Sequence, residues 1–118
     1  MFTINKQDNT ITMIQGDTGV IVLELEDYPL TDGDKVEFAI VSDNKIKRDS
    51  QSLLVYKVLT SFETDGRARI ILYEKDTINL KPRDYFYEIQ VTTKDSGIDT
   101  VIPLTKLTIK EGVIRGRV

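Results

Sequence analysis

The sequence predicts an all-β fold, built as a two-sheet antiparallel β-sandwich of about seven strands. Val, Ile and Thr account for 37 of the 118 residues, whereas Ala, the best helix former, occurs only twice. β-Branched side chains are stiff at χ1 and pack well on pleated surfaces, so this balance favours strands. Short apolar runs recur between turn signals, and no stretch keeps a period of 3.6 residues. The length fits a single β-sandwich domain, residues 1–118, which is either the whole protein or the N-terminal domain of a longer chain.

Alternating apolar side chains place the strands, and turn residues separate them. In the second strand Ile21, Leu23 and Leu25 share one face. Pro29 and Gly33 then turn the chain toward the third strand. The seven strands are predicted at residues 10–14, 18–26, 35–42, 53–62, 67–73, 84–93 and 99–110, with 2–4 as an extra edge piece and 43–51 as a loop or weak edge strand.

Turn, cap and proline residues mark where strands end or are interrupted. Asp65-Gly66 is a hairpin signal between the fourth and fifth strands. The segment 74–80 is too polar for a strand and too short for a free helix, so we expect one helical turn capped by Asp76 or Thr77. Pro103, in the last strand, cannot donate a ladder hydrogen bond and therefore marks an edge or a bulge.

A motif at the start of the sixth strand indicates which class of β-sandwich to expect. Leu80-Lys81-Pro82, followed by Tyr85 and Tyr87, resembles the Leu-x-Pro…Tyr corner of fibronectin-type sandwiches, in which a tyrosine of the penultimate strand bonds back to the crossing loop. The spacing is one residue short of the usual form for Tyr85 and one residue long for Tyr87. We therefore expect an immunoglobulin- or fibronectin-III-like sandwich, without the Cys…Trp…Cys set of antibody domains.

Composition excludes several classes of chemistry. The chain has no Cys and no His, which removes disulfide frameworks, zinc fingers, iron–sulfur ligation, thiol nucleophiles and every His-dependent triad. The formal net charge of −3 argues against a nucleic-acid binder held by bulk charge. The N-terminus lacks the segments of a signal peptide, and the longest apolar run, 20–23, is far too short for a membrane helix. We expect synthesis in a cytoplasm, with no cofactor, no metal and no membrane partner.

Charge is distributed unevenly along the chain. Residues 8–37 hold eight acidic side chains against Lys35 alone. Either neighbouring strands of opposite sign form a solvated surface, or a basic C-terminal tail docks on an acidic neighbour. The basic residues of that tail are Lys106, Lys110, Arg115 and Arg117.

Acidic motifs offer two candidate sites, each with a simpler explanation. Asp17-Thr18-Gly19 could belong to a dimeric aspartic protease, in which two aspartates share a proton across a twofold axis. Such a triplet follows an apolar strand, whereas Gln15-Gly16 precedes this one, and a turn explains it without chemistry. Asp32 and Asp34 flank Gly33 but supply only a fragment of a calcium loop, so a β-turn is the simpler interpretation.

Some apolar residues fall on strand faces that the alternation assigns to solvent. The candidate interface consists of Val20, Val22, Ala39, Val41 and Phe86. If their strands are neighbours, these side chains form an apolar patch outside the core, and such patches commonly mark protein interfaces. The competing interpretation is that β-rich surfaces carry scattered valines anyway.

Several short motifs follow one another in a recognisable order over about residues 10–112. They are Met13-Ile14-Gln15-Gly16-Asp17-Thr18-Gly19, Asp34-Lys35-Val36-Glu37-Phe38, Gly66, Asp76-Thr77 before Leu80, Asp84-Tyr85-Phe86-Tyr87-Glu88-Ile89-Gln90-Val91, Asp99-Thr100-Val101-Ile102 and Leu107-Thr108-Ile109. This order resembles the N-terminal domain of the baseplate upper protein family of tailed phages that infect Gram-positive bacteria.

The resemblance implies a phage or prophage structural module, a non-enzymatic β-sandwich that anchors in the tail baseplate through protein–protein contacts. It implies no catalytic residue, other baseplate or tail proteins as partners, and the virion as the final location; we also expect self-association. Family members carry receptor-binding proteins on a longer C-terminal part, whereas this chain ends at Val118. Either the sequence is a domain excised from a longer chain, or this is a short family member that cannot itself hold a receptor-binding protein. In both cases the expectation is the anchoring role.

Two other functions are compatible with the residues. The first is a carbohydrate- or adhesin-type β-sandwich that binds its ligand through Tyr and Phe side chains. The second is the dimeric aspartic protease at Asp17.

Overall fold

Strands dominate the fold, as the β-branched composition predicts. The computed structural model describes residues 2–43, 53–95 and 97–112. Within these residues there are eight strands and one helical turn. The elements are β1 (Phe2–Ile4), β2 (Ile11–Ile14), β3 (Gly19–Leu23), β4 (Lys35–Val41), β5 (Val55–Leu59), β6 (Ala68–Leu72), α1 (Glu74–Thr77), β7 (Arg83–Thr93) and β8 (Gly97–Lys110). The all-β class is confirmed, and β1 is the extra edge piece that the sequence predicts.

The strands form two sheets that share one hydrophobic core. The larger sheet is curled and has the order β1-β2-β8-β7-β4-β5, and the smaller sheet pairs β3 with β6. Ile21 and Ile70 of the smaller sheet belong to the same buried cluster as Phe38 and Ile89 of the larger sheet. Both sheets therefore contribute side chains to one core.

The predicted alternation is confirmed in the central strands. Side chains at alternate positions of β4, Val36, Phe38 and Ile40, are fully buried. In β7, Tyr85 and Tyr87 begin a run of four alternate residues that point into the core. Period-two burial of this kind is what one covered face of a sheet requires.

One strand pair departs from the antiparallel prediction. Strands β2 and β8 are parallel, with the register running from Ile11 opposite Leu107 to Ile14 opposite Lys110. All other pairs in the described residues are antiparallel. Parallel strands need a long crossover between them, and most of the chain lies between the end of β2 and the start of β8. Pattern and turn signals act between neighbours in sequence, so they could not show this pairing.

The predicted interruption at Pro103 is a bulge within a continuous strand. Tyr87 lies opposite Thr105, but the next paired residue of β7, Ile89, lies opposite Ile102. The register of the β7–β8 pair therefore shifts after Tyr87. Pro103 falls inside this step, where no ladder hydrogen bond is required of it. The chain between β4 and β5, predicted as a loop or weak edge strand over 43–51, lies outside the described residues except for Asp43.

The helical turn is present, but its cap differs from the prediction. Tyr73 is the N-cap of α1, and Asp76 occupies the third helical position instead of the cap. The Asp76 carboxylate accepts a hydrogen bond from the Tyr73 backbone N–H at 2.8 Å. Thr77 lies inside the turn, is buried, and accepts the Gly16 N–H at 2.9 Å. Asp76 therefore stabilises the start of the helix from within, as the acidic member of a capping box does.

The hydrogen bond expected of a tyrosine corner is made by Tyr85. Its hydroxyl donates to the Lys81 carbonyl oxygen at 2.7 Å, four residues upstream. Tyr87 bonds elsewhere, because its hydroxyl donates to the carbonyl of Asn9. Burial, with a smaller contribution from the Asp8 charge, raises the pKa of Tyr87 to about 12. The shorter of the two sequence spacings is therefore the one that forms the bond.

Candidate functional site

The structure divides the predicted interface between the two sheets. Val20 and Val22 lie on β3 in the smaller sheet, whereas Ala39 and Val41 on β4 and Phe86 on β7 belong to the larger sheet. The condition that their strands are neighbours holds for β4 and β7 only. The five residues therefore form two separate groups instead of one patch.

The group on the larger sheet exposes little apolar surface. Val41 lies opposite Phe86 in the β4–β7 register. Val41 is only 7% exposed, and its neighbour Ile40 at the end of β4 is buried as well. Phe86 and Ala39 are half-buried. This group is the weaker candidate for an interface.

The group on the smaller sheet is exposed and gains a third member. Val20 lies opposite Ile71 of β6, and Val22 lies opposite Arg69. Val20 and Val22 are 37% and 51% exposed, and Ile71 is half-buried. Directly paired residues point to the same side of a sheet, so Val20, Val22 and Ile71 form one apolar strip, which we name the β3–β6 stripe.

Ion pairs lie beside the β3–β6 stripe. Arg67 Nε lies 3.2 Å from Glu24 Oε2, and Arg69 Nε lies 3.3 Å from Glu63 Oε1. All four side chains are about half exposed or more, so these pairs add little to the stability of the fold. An apolar centre with charged groups at its rim is the usual composition of a protein–protein interface.

A second exposed apolar surface was missed by the sequence reasoning. Leu53, Leu54, Tyr56 and Val58 lie in and just before β5, and each is at least 41% exposed. Among the described strands, β5 pairs with β4 only and is the last strand of the larger sheet. We name this surface the β5 edge. The signal in the sequence was the unbroken apolar run 53–56, which leaves apolar side chains on both faces of a strand.

The only charged side chain of β5 is turned away from this surface. Lys57 lies on the core side of the sheet, where its Nζ is 2.7 Å from Asp76 Oδ2 and 5.0 Å from the centre of the Tyr73 ring. On the other side, the Tyr56 hydroxyl donates to the Glu37 carboxylate. This bond is the main cause that lowers the pKa of Glu37 and raises that of Tyr56.

The Asp-Thr-Gly motif lies in a turn that is anchored to the chain around α1. The Asp17 N–H donates to the Ile14 carbonyl at 3.0 Å, and Gly16 between them has φ of 79°. The Gln15 carboxamide donates to the carbonyls of Ile78 and Leu80 at 2.9 and 2.8 Å. These contacts give the turn between β2 and β3 a structural role.

The last glycine of the motif also has a steric explanation. A Cβ at Gly19 would lie 2.2 Å from Cδ2 of the Phe2 ring. Glycine therefore allows β1 to pack closely over the start of β3.

Asp34 is a structural carboxylate. It is buried and accepts hydrogen bonds from the Thr31 N–H, the Tyr28 hydroxyl and the Lys94 N–H, at 3.0 to 3.1 Å. The Thr31 N–H is the main cause that lowers the pKa of this carboxyl group. Asp34 thus ties the turn before β4 to the β7–β8 hairpin. Among the described residues no group of three or more acidic, His or Cys side chains could hold a metal ion.

Only half of the predicted basic tail can be placed. Lys106 and Lys110 lie on β8, and Lys106 Nζ is 3.8 Å from Asp84 Oδ2. Arg115 and Arg117 lie outside the described residues. The docking of a basic tail on an acidic neighbour therefore stays a prediction.

Comparison with known proteins finds no matching family model, no matching curated protein and no matching solved structure. In the part of the chain that the structure describes, no helix has the length and apolar character needed to span a bilayer. Arguments about function therefore depend on the residue pattern and on the surfaces above.

Proposed function

We propose that this chain is a non-enzymatic structural module of a phage or prophage virion, which anchors in the tail baseplate through protein–protein contacts. The observation that carries the proposal is the β3–β6 stripe, an exposed apolar strip beside charged pairs on an all-β scaffold. The partners are other baseplate and tail proteins, and the chain also associates with itself. The location is the virion, reached by assembly.

We further propose that the two sheets form an immunoglobulin-like sandwich. In such domains one sheet contains strands C, F and G, extended by C′ in variable-type domains, and the other contains B and E. Strands β8, β7, β4 and β5 follow one another in the larger sheet in the order G, F, C and C′, and β3 pairs with β6 as B pairs with E. The Tyr85–Lys81 bond supports the same assignment, because it is the corner bond of these sandwiches.

The order of motifs supports the baseplate role. The segment that ends in Gly19 forms the turn between β2 and β3, Asp34 fixes the start of β4, and the run from Asp84 to Val91 lies in the central strand β7. These motifs help to set the scaffold. Such a pattern suits a family whose members share a shape and bind neighbouring subunits.

Assembly through the β3–β6 stripe would draw on apolar burial. Covering a valine side chain that is exposed in the free protein contributes roughly 1 to 2 kcal/mol. The neighbouring pairs, Arg67–Glu24 and Arg69–Glu63, would guide orientation more than affinity. A contact of this size is weak alone and becomes strong when many copies are arranged in one particle.

The test is assembly with the proteins encoded beside this chain. Val20→Lys combined with Val22→Lys places two charges in the β3–β6 stripe, where both side chains are exposed, so folding is retained. Coexpression with tail proteins from neighbouring reading frames, followed by size-exclusion chromatography, should show a complex for the wild type and none for the double variant. Circular dichroism confirms that the variant is folded.

Two outcomes would contradict the proposal. If the double variant assembles like the wild type, the β3–β6 stripe is not the interface. If the neighbouring reading frames encode no tail or receptor-binding proteins, the virion role is wrong. Glycan-array binding by the isolated chain would instead favour a carbohydrate module, and peptide cleavage that is lost on Asp17→Asn would favour the protease.

A further inference from the structure

We propose that a second copy of this chain pairs with the β5 edge, antiparallel and across a twofold axis, so that two six-stranded sheets join into one. The inference deepens the proposed assembly role and rests on it, because it names the surface and the occupant for self-association. This surface is separate from the β3–β6 stripe, which belongs to the other sheet.

The β5 edge offers unpaired backbone groups. β4 lies on one side of β5, and no described strand pairs with its other side. A free strand edge presents a row of N–H and C=O groups that an additional extended chain can satisfy. The occupant of this edge is therefore a strand.

Exposed apolar side chains are concentrated at this edge. Of the eight large hydrophobic side chains that are exposed in the described residues, four lie between 53 and 58, and a fifth, Tyr73, packs on Lys57 of the same strand. A cluster at one edge differs from the single exposed valines that any β-rich surface carries. The backbone edge and the apolar surface coincide.

The β5 edge lacks the usual protection against pairing. Edge strands are commonly protected by lysines, prolines or bulges. β5 contains neither proline nor a register shift in its pairing with β4. Its one lysine, Lys57, faces the core side and is bound to Asp76 at 2.7 Å. Within the described residues, no strand pairs with this edge.

Charge favours a second copy over a charged partner. On the outer side, Glu37 is bound by the Tyr56 hydroxyl and lies 3.4 Å from Lys35 Nζ. On the core side, Lys57 has Asp76 as its counter-ion. Because these two described charges next to the edge, Glu37 and Lys57, are neutralised within the chain, the best complement is an edge that is equally neutral and apolar, which a second copy provides.

A twofold axis at Lys57 makes the strand complementary to itself. This register places Tyr56 opposite the partner's Val58 and Val55 opposite the partner's Leu59, each pair occurring twice. Aromatic and β-branched side chains are favourable cross-strand neighbours. The two Lys57 side chains meet at the axis, where each is already paired with its own Asp76. An interface in which residue i contacts j and j contacts i is what a twofold dimer requires.

The area available sets the expected affinity. Five strand residues and the two leucines before them offer less than the roughly 800 Å² per partner of a standard interface. We therefore expect a dissociation constant on the order of micromolar for the isolated chain. In a particle with many copies the same contact would be strengthened by its neighbours.

Sedimentation velocity of the full chain over a wide concentration range tests the dimer. The wild type should shift from monomer to dimer as concentration rises. Val58→Lys should raise the dissociation constant at least about tenfold, because it places a charge opposite the partner's Tyr56. The matched control is Val22→Lys, a valine of similar exposure, 51% against 44%, on the other sheet, which should leave the dimer unchanged.

Disulfide trapping tests the register and does not depend on charge. The chain has no cysteine, so introduced thiols can pair only with each other. Chains carrying Tyr56→Cys, mixed with chains carrying Val58→Cys, should form a cross-linked dimer under mild oxidation faster than either chain alone. The reason is that these two positions are opposite in the proposed pairing and within disulfide distance.

Each result decides the inference. A wild type that stays monomeric at all concentrations overturns it, as does a dimer that Val22→Lys dissociates and Val58→Lys does not. A monomer that still binds tail proteins would overturn this inference and leave the proposed function standing. A dimer that is sensitive to Val58→Lys, in a chain that binds no tail protein, would support this inference and overturn the proposed function.

Discussion

The buried Asp34 carboxylate accepts hydrogen bonds from three different parts of the chain, the turn before β4, Tyr28 and the β7–β8 hairpin. Such bonds favour the ionised form, so the folded protein holds the pKa of Asp34 below its usual value. The contribution of Asp34 to the free energy of unfolding is therefore fully present when the pH is above the pKa of Asp in the unfolded chain, near 4. It is lost as the pH falls through the pKa of Asp34 in the folded protein.

We expect Asp34→Asn to lower the free energy of unfolding at neutral pH and to weaken the loss of stability on acidification. The Asn side chain keeps one acceptor oxygen and presents an NH2 group toward backbone donors, so at least one bond is lost. Urea unfolding at pH 7 and pH 3 measures both effects. The control is the exposed neighbour Asp32→Asn. Equal acid sensitivity in the wild type and Asp34→Asn would contradict this role.

We expect Tyr87 to contribute to the loss of stability at alkaline pH. Burial raises its pKa to about 12, so the folded protein keeps the phenol proton where the unfolded chain, near pKa 10, releases it. Its contribution is complete below pH 10 and declines by up to about 1.4 kcal/mol per pH unit between 10 and 12. Tyr87→Phe should be less stable at neutral pH, by about 1 kcal/mol from the lost bond to Asn9, and flatter above pH 10.

Chemical unfolding between pH 8 and 11.5 checks this expectation. Exposed Tyr73→Phe serves as the control, because its hydroxyl has no buried environment to lose. If both variants follow the alkaline profile of the wild type, Tyr87 does not carry the effect.

At the scale of elements, most strands could be predicted from the sequence because each buries one face. Val36, Phe38 and Ile40 alternate in β4, and the burial follows. Pairing between distant strands was not predictable, since β2 and β8 pair in parallel although most of the chain lies between them in sequence. The role of Asp76 could not be predicted from a cap pattern alone. Its carboxylate reaches back from within α1 to the backbone N–H of Tyr73.

The candidate interface shows the same limit. Alternation correctly identified Val20 and Val22 as exposed, but it could not assign strands to sheets, so Ala39, Val41 and Phe86 were grouped with them. The β5 edge was missed for the same reason. Whether a strand is central or at an edge depends on the topology of the sheet, and the side-chain pattern of a strand is a poor predictor of its position.

The packing of β1 depends on a single glycine in β3. A methyl group at Gly19 would overlap the Phe2 ring, so we expect Gly19→Ala to displace β1 and to destabilise the protein by about 1 to 3 kcal/mol. A double-mutant cycle with Phe2→Ala measures the coupling. In the Phe2→Ala background the second substitution should have little effect. Equal costs of Gly19→Ala in both backgrounds would show that the glycine is needed for another reason.

At the scale of the whole molecule, the two exposed apolar surfaces lie on different sheets and suit different neighbours. The β3–β6 stripe presents side chains beside ion pairs, whereas the β5 edge presents backbone groups together with side chains. A subunit with two such surfaces can bind a copy of itself through one and another protein through the other. A twofold contact closes a dimer and leaves the second surface available to another protein.

The most direct test of the account is the protein content of purified particles. Quantitative peptide mass spectrometry of phage or prophage particles from cells that encode this chain should detect it in a fixed ratio to the tail proteins, in many copies per particle. Particles that contain all other tail proteins but lack this chain would contradict the central claim that it is a structural part of the virion.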